Sequence, residues 1–360
     1  KHSLTLMALY TSVKAYIPSS IDSLDYIANP QAAAAAWLEN QGFEDYDKFL
    51  AGLAHQVDIR RNMSLKTAMF SVFKNNYELR PFNVLKEESA KFGLRSYLSF
   101  HPVLGKVKAN LLAGAELITE NYVWSTYENV DREPGPLLSD NREVRQYANL
   151  FFQSAFYLTD KITLSAGINL NKTTYDYQDR YLLNGDQTGD HGFDPVVSPR
   201  IAVSYAQAPG LFLYANASHG FSPPGLEETL TPEGAVNPDI RPESGWNFEV
   251  GLRGKVYRGK LFYDASIYSM QIKDLLVFRR IDEDQYVGLN AGETNHNGIE
   301  VLLKYLFVQT EGLTAMAFAN GSFTEYRFEE FIDGDADYSG NRLPGAPENE
   351  VNAGVNMHSG

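Results

Sequence analysis

Cysteine is absent from the 360 residues, which excludes a disulfide framework, a thiolate metal site and a cysteine nucleophile. Tryptophan is scarce, at 3 residues, although Tyr and Phe reach 22 and 21. No run of 18 apolar residues occurs, so a membrane-spanning α-helix is excluded. Basic residues are outnumbered 31 to 45 by acidic ones, for a net charge of −14. That balance disfavours nucleic acid as a partner, because displacing phosphate counterions needs a basic surface. The seven histidines (His2, His55, His101, His191, His219, His296 and His358) are scattered. No His-x-x-x-His, Gly-x-Ser-x-Gly or phosphate-binding glycine loop accompanies them, so the sequence does not read as an enzyme and calls for no cofactor. A signal-type segment is lacking at Lys1, which suits an internal fragment of an exported protein and a cytoplasmic protein equally.

The residues present are those of half-buried strands and membrane interfaces. Strand-like runs occupy 2–10, 53–60, 65–75, 89–100, 106–118, 145–158, 161–177, 197–207, 211–219, 244–256, 259–272, 294–307, 313–326 and 350–357. Most reach the length of about 9–11 residues that a tilted membrane strand needs. The alternation is plainest over 161–171, where Ile162, Leu164, Ala166, Ile168 and Leu170 oppose Thr163, Ser165, Gly167, Asn169 and Asn171. Trp246, Phe248, Val250 and Leu252 likewise oppose Asn247, Glu249, Gly251 and Arg253. A period of two with charge on one side demands one wet and one apolar face. A mean hydropathy of −0.31 is compatible with a membrane β-barrel, whose strands alternate between lipid and lumen.

Loop lengths separate this from a soluble sandwich. The connections at 61–64, 101–105, 159–160, 208–210, 257–258 and 308–312 are short and carry turn residues, among them Thr159-Asp160 and Ala208-Pro209-Gly210. Long connections are expected between them, at 11–52, 76–88, 119–144, 178–196, 220–243, 273–293 and 327–349. A meander with one tight and one loose end has the asymmetry of outer-membrane barrels. Within 11–52 the alanine-rich stretch after Asn29-Pro30 predicts a short surface helix. Glu227-Glu228 and Glu329-Glu330 read as solvated loop acids. Asp333, Asp335 and Asp337 have the spacing of a calcium loop, but Tyr338 stands at its glycine position and Pro344 at its distal glutamate, so the loop reads as solvated.

From Pro199 to Glu300 the chain resembles TonB-dependent outer-membrane receptors. The carrying segments are SPRIAVSYAQAPGLFLYANASHGFSPP, NPDIRPESGWNFEVGLRG, LFYDASIYSMQIKDLLV and HNGIEVLLKY, followed by RLPGAPENEVNAGV. Upstream, NYELRPFNVLKEESAKFGLRSYL and ANLFFQSAFYLTDKITLSAGINL share the style. The resemblance implies an all-β, antiparallel transmembrane barrel of 22 strands filled by an N-terminal plug. Residues 1–360 then read as a partial barrel domain, with the plug, its energy-coupling box and about eight strands outside the chain. In NPDIRPE, Pro238 and Pro242 hold an extended entry into the next strand. Gly298 marks a close backbone approach or a bulge.

The function so implied is active import of a ferric siderophore or ferric citrate across the bacterial outer membrane, energised by a TonB–ExbB–ExbD complex acting on the plug. Lipid and lipopolysaccharide would surround the barrel, and its long loops would lie outside the cell. Anionic chelates call for Arg, with its fixed bidentate donors, and for aromatic faces. The candidates for ligand contact are Trp124, Tyr127, Arg132, Arg142, Arg180, Tyr181, Arg279 and Arg280. Another cargo (cobalamin, a carbohydrate or a different metal) and a passive porin or adhesion barrel are the competing functions.

Overall fold

The computed structural model describes residues 1–225, 240–282, 285–333 and 336–359, with the side chains at 184, 278, 280–282, 285–286, 291 and 333 also outside the description. One antiparallel sheet dominates it. Its strands are β1 (His2–Tyr16), β2 (Phe43–Arg60), β3 (Met63–Leu79), β4 (Val84–Phe100), β5 (Val107–Val130), β6 (Glu133–Tyr157) and β7 (Ile162–Asp179). They continue as β8 (Val196–Ala208), β9 (Leu211–Ser222), β10 (Glu243–Val256), β11 (Leu261–Asp282), β12 (Gln285–Gln309), β13 (Leu313–Glu330) and β14 (Asn349–Ser359). Every strand pairs with its neighbour in sequence, without a crossover. The fourteen runs read from the sequence are therefore fourteen strands of one meander.

Alternation sets the two faces. On β10 the residues Trp246, Phe248, Val250, Leu252 and Val256 share one face and are all exposed. The same face carries Ile168 and Leu170 on β7, Ile201 and Val203 on β8, and Ile267 on β11, again exposed. Large apolar side chains turned outwards over so many strands need lipid as their solvent. From Trp246 to Val256 the chain advances ten residues, about 33 Å, which a tilt of roughly 40° reduces to a band about 25 Å tall. Tyr205, Tyr257 and Tyr305 gather at the end near the short turns, and Trp246 closes the other end, as interfacial aromatics do.

Above that band the structure departs from the predicted loops. Segments 76–88, 119–144 and 273–293 are mostly strand among the described residues, and the first two hairpins turn at 80–83 and 131–132. The β5 and β6 strands run for 24 and 25 residues, roughly 80 Å at about 3.3 Å per residue. The reason is physical: beyond the lipid both faces are wet, so apolar alternation ceases while backbone pairing continues. The two-residue tip Asp131-Arg132 has φ of 52° and 70°, the left-handed pair that a tight hairpin needs.

Among the described residues, the remaining connections at that end, 17–42, 180–195 and 331–348, hold only short elements. The first holds two short helices, α1 (Ser23–Ala28) and α2 (Ala35–Asn40). Asp22 caps α1 by accepting from Asp25 N at 2.8 Å, whereas Asn29 closes that helix instead of starting one. The alanine-rich helix thus begins at Ala35, five residues beyond Pro30. Trp37 on α2 is buried beside Phe82 and Gly42, which docks the loop onto the β3–β4 turn.

On the concave face, aromatic rings lie across glycines of the next strand. Tyr214 covers Gly251 and Tyr268 covers Gly298, where a methyl group would overlap the ring. Gly298 is therefore a site of close approach, and the ladder passes through it without a register shift.

Candidate functional site

Three rows of residues cross β4 to β7 on the concave face, just above the lipid band. Glu87 stands opposite Trp124, which stands opposite Asn141 and then Asp179. The next row runs Ser89, Tyr122, Glu143, Tyr177, and the third Lys91, Glu120, Arg145, Tyr175. Lys172, on the outward face of β7, marks where that face turns polar below these rows.

Burial and charge are concentrated here. Glu143 is 2% exposed and pairs with Arg145, whose second carboxylate is Glu120 at 3.9 Å. Glu120 also takes Lys91 at 3.0 Å and the Ser89 hydroxyl at 2.7 Å. The Arg145 guanidinium lies between the rings of Tyr122 and Tyr175, at 5.3 and 5.6 Å from their centroids. Burial pushes the Glu143 carboxyl above its usual range, against the pull of Arg145. Burial also drives the Tyr175 and Tyr177 hydroxyls far upward, so both remain neutral donors.

Aromatic packing fixes the wall. Tyr122 stacks on Trp124 at 5.3 Å, and Trp124 meets Tyr177 at 5.8 Å. The Asn141 amide is best oriented with its oxygen accepting from Trp124 Nε1 at 3.2 Å and its nitrogen donating to the Tyr177 hydroxyl at 2.7 Å. Tyr175 is covered by Phe193 and Ile240 from the loops and by Leu276 from β11, and it donates to the Pro224 carbonyl at 2.6 Å. Asn76 donates to Glu87 at 2.6 Å, and Tyr122 donates to the other oxygen of that carboxylate.

The structure disperses the candidates taken from sequence. Trp124 alone lies in this wall. Tyr127 sits on the outward face under the Lys86 ammonium, 4.9 Å from the ring centre. Arg132 reaches from its hairpin tip to Glu39 O at 2.9 Å and Gln41 Oε1 at 3.3 Å, holding the first loop. Arg142 faces outward and donates to Asn121 Oδ1 at 2.6 Å. Arg180 is exposed, with its backbone N donating to Asp140 O at 2.8 Å, and Tyr181 follows, its own N on Asp179 Oδ1 at 2.9 Å. Arg279 is an exposed β11 residue and Arg280 adjoins it, its side chain outside the described residues.

Other sequence features are placed as follows. Arg241 pairs with Asp274 at 2.7 Å, while Glu243 Oε2 accepts from Leu276 N at 3.2 Å. Glu227, Glu228 and Pro238 lie outside the described residues, as does Asp335. Among the described residues no group of three His, Cys, Asp or Glu is placed to hold a metal ion. Glu143 closes the predicted loop 119–144, and Arg145, Tyr147, Tyr175 and Tyr177 lie in the predicted strands 145–158 and 161–177, where no ligand contact is expected. The usable signal was the run Thr173, Tyr175, Tyr177, Asp179, in which the period of two persists past the apolar segment.

The family described as TonB dependent receptor-like, beta-barrel matches residues 10–359. Among solved structures, the chain is similar to the ferric citrate transporter FecA in its unliganded form, with 14% identity and a TM-score of 0.81 over 98% of this chain and 52% of that one. It is similar to the ferric-catecholate import receptor Fiu from K12 E. coli, with 14% identity and a TM-score of 0.73 over 98% of this chain and 59% of that one. The ferripyoverdine receptor of the Pseudomonas aeruginosa outer membrane, bound to ferripyoverdine, gives 11% identity and a TM-score of 0.68 over 87% of this chain and 44% of that one. At such identities the likeness extends to the fold. The chain spans about half the length of these proteins.

Proposed function

We propose, from the premise that the chain belongs to the family of TonB-dependent receptor β-barrels, that it forms part of a receptor importing a ferric chelate. The family is one of outer-membrane transport receptors. The cargo is a ferric siderophore or ferric citrate, and import is energised by a TonB–ExbB–ExbD complex through a plug domain. The sheet belongs to a closed 22-stranded barrel. Its long hairpins face the exterior, and lipid with lipopolysaccharide surrounds the band defined by Trp246 and Val256.

The observation that carries this proposal is the concave wall of β4 to β7. It sets Tyr122 and Trp124 beside the carboxylates Glu87 and Glu120, above the lipid, where a solute enters such a barrel. Ring faces give a chelate's organic shell area to pack on, while the fixed charges orient it. Ring faces beside carboxylates also suit hydroxyl-rich ligands, which makes a carbohydrate the second cargo to test.

Quenching of tryptophan fluorescence during titration with ferric citrate, a ferric catecholate, a ferric hydroxamate and an oligosaccharide separates the two. A ferric chelate should bind in the micromolar range or tighter, and Tyr122→Ala should weaken it at least tenfold. Binding of the oligosaccharide alone, or unchanged affinity in the variant, would remove the ferric assignment from this wall.

A further inference from the structure

A second concave-face cluster lies on β11 to β13, apart from the wall already described. Its central row is Asn247, Met270, His296 and Tyr326, in register across β10 to β13. One row nearer the short turns stand Tyr268 and Gly298. Because Gly298 has no side chain, the Tyr268 ring crosses it diagonally and brings its hydroxyl to 2.7 Å from that of Tyr326. His296 packs on the Tyr326 ring at 4.5 Å, and its Nε2 shares a hydrogen bond with Thr294 Oγ1 at 3.0 Å. The two tyrosines, on strands that are not neighbours, are thus locked as a pair.

We propose that the Tyr268 and Tyr326 oxygens form a chelating edge for a hard, highly charged cation, in practice a ferric ion whose own chelator leaves two adjacent positions open. Oxygen donors at about 2.0–2.1 Å from a small octahedral cation stand roughly 2.9 Å apart when cis, close to the observed 2.7 Å. Oxygen ligands suit hard cations, and the site needs no further protein donor if the chelator keeps the remaining positions. Glu300 follows Gly298 on the same face of β12 and supplies a negative field. Both tyrosines are half-buried and stand on the concave face of the sheet.

Protons balance simply. Each phenol loses one proton to solvent as its oxygen displaces a water from an open position of the iron, and the iron stays ferric. The His296 ring acts as a positioning group for the Tyr326 ring. This deepens the ferric-cargo proposal, on which its role in transport rests, by giving the metal itself a contact.

Ferric nitrilotriacetate is the probe, because its chelator leaves adjacent positions of the iron open. The detergent-purified receptor is titrated and followed in visible light, where phenolate-to-iron charge transfer absorbs. A band saturating at one iron per receptor is expected. Tyr268→Phe and Tyr326→Phe should each abolish it, whereas Tyr214→Phe, at the equivalent crossing over Gly251, should leave it intact. Heat-modifiable migration on gels checks that every variant is folded. Absence of the band in the unsubstituted protein, or its survival in either Phe variant, overturns the proposal. The optical test requires no uptake, so a failure of ferric import would leave its outcome standing by itself.

Discussion

The Glu143–Arg145 pair offers the sharpest test of the wall. Replacing Arg145 with Leu removes the partner of a carboxylate that is 2% exposed, with no other cation paired to it among the described residues. Breaking a buried pair in this way typically costs about 3–5 kcal/mol, since the remaining charge stays desolvated. Removing both charges with Glu143→Gln and Arg145→Leu should restore most of that loss, because two neutral groups carry no such penalty. The pH dependence has a definite sign. The folded Glu143 carboxyl is already raised by burial, and loss of Arg145 raises it further. A carboxyl that is higher in the folded state binds a proton there preferentially, so the single variant regains stability as pH falls and loses it as pH rises through the folded value. Urea unfolding in lipid vesicles between pH 5 and 8 measures all three proteins. A single variant within about 1 kcal/mol of the parent at pH 8 would refute the reasoning. A double variant no better than the single one would do the same.

Other perturbations probe other parts. Arg132→Ala removes the bonds to Glu39 and Gln41, charge-assisted contacts worth about 1.5–3 kcal/mol together or singly. Chymotrypsin cleavage within 17–42 should then accelerate roughly 10–100-fold, and an unchanged rate shows that Trp37 and the Asn129–Asn40 bond hold the loop without Arg132. Tyr175→Phe leaves the buried Pro224 carbonyl without its donor, at about 1–3 kcal/mol. Amide exchange over 219–222, the strand end leading to Pro224, should quicken, and equal exchange in both proteins contradicts a role of that hydroxyl in holding Pro224. Gly254→Ala would drive a methyl group into the Gly210 carbonyl oxygen, which is backbone and cannot swing away. The loss should be at least the roughly 1–3 kcal/mol of an overpacked site, seen as a lower temperature for the heat-modifiable gel shift.

The strands were legible in sequence wherever lipid enforces the alternation, as in Ile162 to Leu170 and Trp246 to Leu252. They became illegible above the band. Around Asn75, Lys86 and Glu88, or Asp140 and Arg142, the alternation of apolar and polar residues ends while the backbone pairing continues. The same blindness hid the wall. Trp124 falls in a predicted loop and is a candidate there, whereas Arg145 opens the predicted strand 145–158 and its charge marks no site. Arg132 shows the converse, since a cation at a hairpin tip has the sequence signature of a ligand contact and in the structure directs donors to the first loop. Nothing in the order of residues discloses that Glu39 and Gln41 lie beneath it.

The rings laid over glycines bear on how such a sheet assembles. Tyr268 fits only opposite Gly298, and Tyr214 only opposite Gly251. A slip of two residues would keep every apolar side chain in lipid and preserve the backbone ladder, so neither solvent nor hydrogen bonding would reject it. It would, however, press Tyr268 onto His296 or Glu300, and Tyr214 onto Glu249 or Arg253. The crossings therefore work as keys cut for one alignment, and misaligned strands are turned away as they arrive.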